Sequence, residues 1–232
     1  VIALDQRGHG DSEKPATGYG VADFAADLES FAQSLGIRTF ILMGHSMGGR
    51  IAGYYAGVHP ERLSHLILED PPFPRQPGQG ASPIIERENR RPATFPTLED
   101  AVAYLGSEAD LGSTTPYAEK WSPEVMRQRA QAAMSQRADG AWEWKYSSRA
   151  VLSILEQGQI VGDGPIMENA KNVTCPTLLI RGANSHVCTP ENARAIQSAF
   201  PNCQVVTVPD VSHGIHAEQF EAFMAAVKEF IG

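Results

Sequence analysis

The sequence predicts an α/β protein, a mostly parallel sheet flanked by helices and interrupted by a helical insertion. Three observations carry that prediction. Short apolar runs alternate with amphipathic helical patterns over the first 70 residues and again near the C-terminus. Strand texture stops between those stretches, and a glycine-rich turn joins one apolar run directly to a helix. At 232 residues, 42% of them hydrophobic, the chain can build one sizeable core without covalent staples.

The elements follow in order. Val1–Asp5 (VIALD) is a short apolar run that meets a turn cluster, Arg7 to Ser12, as a buried parallel strand entering a loop would. From Val21 to Leu35 the apolar positions Val21, Phe24, Ala25, Leu28, Phe31, Ala32 and Leu35 recur at helical spacing, and Gly36 stands where a helix stop is expected. Phe40–Met43 reads as a second strand. From Gly44 a glycine-rich turn opens a helical stretch, Arg50–Val58, that ends before His59-Pro60, and Leu66–Leu68 reads as a third strand. After Asp70 prolines and glycines crowd together, and from Leu98 to about Ile160 only helical candidates occur. Strands resume at Thr177–Arg181 and Val205–Val208, with a helix from Pro190 to about Phe200 between them and a final amphipathic helix carrying Phe220, Phe223, Met224, Val227 and Phe230. The expected division is therefore an α/β core of residues 1–72 and 171–232, with residues 73–170 inserted.

Composition narrows the function. Nineteen basic against 27 acidic side chains give a formal charge of −8, which repels nucleic acid and anionic membranes. No apolar run approaches the ~20 residues of a bilayer span. Cys175, Cys188 and Cys203 are odd in number and widely spaced, so neither a disulfide framework nor a zinc site is expected, and a reducing, cytoplasmic setting is the natural reading.

Gly44-His45-Ser46-Met47-Gly48 has the form G-x-S-x-G, follows an apolar strand and opens a helix. That context puts a serine on a sharp turn with its hydroxyl exposed, and the neighbouring glycines keep the turn free of Cβ clashes. Ser46 is thus the candidate nucleophile. The amide of Met47, at the helix start, is a candidate oxyanion donor. A serine hydroxyl needs a base. Of seven histidines, His213 lies in a short loop, Val208–Gly214, between the last strand and the last helix, on the sheet edge that Ser46 shares. His216 reads as a packing residue. A metal site from His186, His213 and His216 is a remoter reading, since no carboxylate or cysteine stands close by in sequence.

These residues resemble the α/β-hydrolase superfamily. The matching stretches are DQRGHGDS at Asp5–Ser12, GHSMGG at Gly44–Gly49, LILEDPP at Leu66–Pro72, TLLIRG at Thr177–Gly182 and VSHGIHAEQF at Val211–Phe220, in the family's chain order. The resemblance implies Ser46 as nucleophile, His213 as base, Met47 as one oxyanion donor and residues 73–170 as a helical cap or lid. Trp121, Trp142 and Trp144 then become candidate substrate-binding walls. A serine at position 46 argues against the chemistry of relatives with a carboxylate nucleophile. Two departures stand out. Most relatives place the triad's acid where this chain has His186, but some carry it at the end of the strand after the nucleophile helix, where Asp70 stands, 24 residues beyond Ser46. Asp70 is therefore the expected acid, and Glu69 the weaker choice because neighbouring strand residues face opposite ways. Relatives also have three further strands before the one matching Val1–Asp5, and a His-Gly loop that donates the second oxyanion N–H. The 232 residues are accordingly expected to be part of a larger folding unit, or to gain those strands from another chain, and a homo-oligomer is one expectation.

The expected activity is hydrolysis of a small carboxylic ester or lactone through an acyl-enzyme on Ser46, with no cofactor and no metal. The competing expectation is a non-catalytic, ligand-binding member of the same fold, motivated by His186 at the usual acid position and by the missing strands.

Overall fold

The computed structural model describes residues 1–75, 82–105, 107 and 122–232. Its strands are β1 (Phe40–His45), β2 (Leu63–Glu69), β3 (Thr94–Phe95), β4 (Met134–Gln136), β5 (Trp142–Trp144), β6 (Thr177–Gly182) and β7 (Cys203–Val208). Contacts divide the chain into a sheet unit, Gly20–Gln79 with Gln157–Gly232, and a second unit, Val1–Tyr19 with Gly80–Glu156.

In the sheet unit four strands pair in parallel in the order β1-β2-β6-β7. Parallel neighbours need crossovers, and helices supply them on both faces. Helix α1 (Val21–Ser34) starts where Asp23 accepts the Gly20 amide at 2.8 Å. It stops at Gly36, whose φ of 67° suits glycine, while the Gly36 and Ile37 amides close onto the carbonyls of Gln33 and Ala32. Helix α2 (Met47–Val58) connects β1 to β2 and is buried along most of its length. Alternation along β2 splits the core in two. Leu66 and Leu68 pack on one face with Tyr55 of α2, Ile166, Leu179 and Ile196. Ile67 turns to the other face, with Leu178, Ile180, Val208 and Phe223 of the last helix, Phe220–Ile231.

The second unit corrects the expectation of helices alone between Leu98 and Ile160. It holds an antiparallel sheet in the order β3-β5-β4, built from two- and three-residue strands too short to show a period in sequence. Helices α3 (Ser82–Arg90), α4 (Leu98–Leu105) and α5 (Pro123–Ala133) accompany it. The core of this unit is Phe95, Leu98, Ala101, Met126, Ala130, Met134 and Trp144. Val1–Asp5 also departs from its expected form. It enters neither sheet, and Val1 and Ile2 are exposed. Apolar patterning makes a strand eligible for a sheet, but a ladder also needs a neighbouring strand, and the described residues offer this segment none. Correspondingly β1 is an edge strand, with Ile41 and Met43 exposed. Among the described residues no helix is long and apolar enough to cross a membrane.

Candidate active site

Three loops at the carboxyl ends of the parallel strands meet at Ser46. Ser46 follows β1 directly and has φ 54° and ψ −118°, a left-handed conformation that is strained for a residue with a side chain. The turn is held by the Ser46 amide on the Glu69 carbonyl at 2.9 Å, and by the Gly49 and Arg50 amides on the Ser46 carbonyl. Gly44 is required by close approach, since a Cβ there would lie 2.2 Å from the Gly48 carbonyl oxygen. Met47 is the first residue of α2, so its amide is one of the helix's leading N–H groups with no intrahelical acceptor. One turn along α2, buried Arg50 donates through Nε to Asp163 Oδ1 at 2.7 Å. Asp163 in turn accepts the Arg75 amide at 2.8 Å, which ties the start of the helix to both flanking segments.

His213 Nε2 lies 2.9 Å from Ser46 Oγ, and its Nδ1 lies 2.8 Å from Asp70 Oδ2. The carboxylate can only accept, so Nδ1 carries the proton and Nε2 presents its lone pair to the serine hydroxyl. Asp70 is fully buried at the end of β2, with φ 42° and its amide on the Ile180 carbonyl. Its carboxylate also accepts from Ser185 Oγ at 2.5 Å and from the Gly182 amide at 3.3 Å. Gly182 is needed for a second close approach: a Cβ there would lie 1.9 Å from the Ser212 carbonyl oxygen, in the loop that carries His213. His186, at the position where an acid is usual, is exposed. Its neighbour Ser185, which the sequence reading passed over, supports Asp70 instead. A buried hydroxyl in a loop leaves no periodic signal.

Glu69 faces the other way, as strand alternation requires, and its carboxylate meets His216. The Nδ1 of His216 lies 2.9 and 3.0 Å from the two Glu69 oxygens, and the His216 amide donates to Oε1 at 2.9 Å. Burial alone would raise the Glu69 pKa, but the His216 side-chain hydrogen bond, the charge of His45 and the His216 amide together more than offset it, and the carboxyl lies below its ordinary value. The same hydrogen bond raises the pKa of His216 against a smaller desolvation. Burial lowers the pKa of His45. The His45 Nε2 donates to the His213 carbonyl at 2.8 Å, and the two rings lie 4.5 Å apart. The trio His186, His213 and His216 does not assemble as a ligand set: His213 is committed to Ser46 and Asp70, and His186 and His213 belong to no potential ligand group among the described residues.

Of the three tryptophans, Trp121 lies outside the described residues. Trp144 is only 8% exposed and belongs to the core of the second unit. Its Nε1 donates to the Pro92 carbonyl at 2.8 Å, and the Arg91 guanidinium sits 4.4 Å from its ring centre. Trp142 is half-buried against the same cluster. No signal in the sequence separates a tryptophan that fills a core from one that lines a pocket.

A parallel sheet whose strand-end turn carries a serine, hydrogen-bonded to a histidine and a buried aspartate, defines a hydrolase-type α/β protein. The profile of the alpha/beta hydrolase fold matches residues 1–220, and the chain belongs to that family. Several of its relatives are hydrolases. The chain is 27% identical over 233 residues to the 2-(acetamidomethylene)succinate hydrolase of Mesorhizobium japonicum, covering 100% of this chain and 78% of that protein. It is 28% identical over 236 residues to the N-formylmaleamate deformylase of Pseudomonas putida, with the same coverage of 100% and 78%. A crystal structure of E-2-(acetamidomethylene)succinate hydrolase superposes with a TM-score of 0.77 at 26% identity, covering 97% of this chain and 79% of the other.

Proposed function

We propose that this chain is a serine hydrolase that cleaves a small carboxylic ester or lactone through an acyl-enzyme on Ser46. The observation that carries the reading is the continuous path from Ser46 Oγ through His213 to Asp70, at 2.9 and 2.8 Å. In this mechanism His213 Nε2 takes the proton from Ser46 Oγ as the oxygen attacks the carbonyl carbon. The Met47 amide faces the developing oxyanion, and Asp70 holds the imidazolium that forms. His213 then returns the proton to the departing alkoxide. Water then attacks the acyl carbon as it gives a proton to His213, the bond to Ser46 Oγ breaks to release the acid, and His213 hands that proton to Ser46 Oγ. Residues 1–72 and 171–232 form the reacting core in this reading, and the inserted segment 73–170 acts as a cap that sets substrate choice. Three free cysteines fit a cytoplasmic setting.

The names of two relatives favour a second substrate class, N-acyl amides, because they carry acetamido and N-formyl groups. The same acyl-enzyme serves both, with an amine as the group that leaves. A ligand-binding protein without catalysis would not need the Ser46–His213–Asp70 path. The test is the intact mass after a fluorophosphonate probe, with Ser46→Ala as control, followed by turnover of ester, lactone and N-acyl panels. One adduct per chain, absent in the control, is expected. A folded chain that takes no adduct refutes the proposal.

A further inference from the structure

We propose that His45, Glu69 and His216 form a binding site for a divalent transition-metal cation of the zinc type, beside the Ser46–His213 pair. Parallel register makes His45 and Glu69 direct partners at the carboxyl ends of β1 and β2, and residues paired in this way face the same side of a sheet. Three residues beyond His213, His216 is the second residue of the short helix Ile215–Glu218 and brings its Nδ1 to the Glu69 carboxylate at 2.9 Å. One ligand atom from each of the three residues lies within 4.8 Å of the others, and no other such group occurs among the described residues.

The donor set selects the ion. Two imidazole nitrogens and one carboxylate oxygen suit zinc, which takes nitrogen at about 2.0–2.1 Å and oxygen at about 2.0–2.2 Å, whereas magnesium and calcium prefer oxygen alone. Glu69 supplies the anionic ligand from a fully buried position. His216, with its side chain 46% exposed, opens the way in from solvent. A bound ion takes the place of the proton that Nδ1 of His216 now shares with Glu69, and that proton leaves to water. The fourth position is left to water, as in other three-ligand sites.

The site is wired to the chemistry through His45, whose Nε2 donates to the His213 carbonyl at 2.8 Å. An ion that fixes the His45 ring also fixes its grip on the His213 loop, so occupancy is expected to slow Ser46. This last step rests on the proposed hydrolase reading, whereas binding itself does not.

The test uses the whole chain, stripped with a chelator, and titrates ZnCl2 by calorimetry. One equivalent is expected to bind. His216→Gln and Glu69→Gln should each weaken binding by at least ~10-fold, the loss that even outer-shell changes can produce at metal sites. Exposed His186→Gln should leave binding unchanged, and MgCl2 should give no heat. If the wild type takes up no stoichiometric zinc, or His216→Gln binds it equally well, the proposal is overturned and the cluster is only a carboxylate–imidazole clasp. His216→Gln decides this even if Glu69→Gln does not fold. In a parallel arm, zinc should slow fluorophosphonate labelling of wild-type Ser46 and not that of His216→Gln. If Ser46 takes no label even without metal, the hydrolase reading fails, and calorimetry still decides the metal site.

Discussion

Asp70→Asn tests the proposed chemistry at its least forgiving point. The carboxylate is fully buried and accepts from three donors, His213 Nδ1, Ser185 Oγ and the Gly182 amide. An asparagine can satisfy them in only two ways. If its oxygen faces His213 and Ser185, its NH2 confronts the Gly182 N–H, and no negative charge is left to hold the imidazolium. If its NH2 faces His213, Nδ1 must give up its proton, Nε2 then carries one, and the ring can no longer accept from Ser46. The second arrangement removes the base, and the first leaves it without the charge that stabilises its cation. The equivalent exchange in a serine protease lowers turnover by ~10⁴, or about 5.5 kcal/mol, and a loss of ~10³–10⁴ in kcat is expected here. The unpaired buried donors should cost a further ~1–3 kcal/mol of stability. In a chain of this size that lowers Tm by roughly 2–12 °C. The assay is kcat and KM on p-nitrophenyl acetate, with near-ultraviolet circular dichroism to show that the variant is folded. The fall should appear in kcat, because Asp70 meets His213 and not the substrate. A folded variant with kcat within ~10-fold of wild type would remove Asp70 from the mechanism.

Three further outcomes are expected. Gly44→Ala should abolish probe labelling of Ser46, because its Cβ would lie 2.2 Å from a backbone oxygen and the turn must open; unchanged labelling would refute the packing argument. Glu29 accepts from Tyr55 and Arg62, and these and other hydrogen bonds outweigh burial and hold its carboxyl below the ordinary value. A lowered carboxyl pKa contributes stability that is present above its unfolded value and is lost as pH falls through the folded one. Glu29→Gln should therefore lower Tm at pH 7, with the difference closing in acid; an equal difference at pH 7 and pH 2 would contradict this. Burial pushes the Cys188 thiol up to about 12 and Cys203 up to about 11, and raises Cys175 as well. Ellman's reagent at pH 7.5 should find less than one fast-reacting thiol in the folded chain and three after denaturation.

What could be read in the sequence followed from backbone chemistry and short range. Gly36 had to end a helix, and the spacing of Gly44, Ser46 and Gly48 had to make a tight turn. Alternation along β2 implied that only one of Glu69 and Asp70 could face His213. What could not be read was partnership at long range. Val1–Asp5 has the composition of a strand without a ladder, and the two- and three-residue strands at 94–95, 134–136 and 142–144 are too short for an alternation to repeat. Glu69 and His216 are 147 residues apart, and neither shows in sequence that the other will meet it. Trp144 read as a pocket residue because aromatic composition marks cores and pockets alike.

Every group that holds Ser46, His213 and Asp70 in place, from Gly44 and Gly182 to Ser185 and His45, belongs to the sheet unit. Among the described residues, none of the hydrogen bonds that join these groups involves Val1–Tyr19 or 82–156. In the proposed reading, the reacting groups are thus held to one another from within the sheet unit. A lineage can reshuffle the insertion through substitutions, deletions or grafts and leave each of those bonds standing. A protein engineer can do the same, exchanging 82–156 in a chimera while Ser46, His213 and Asp70 stay in register.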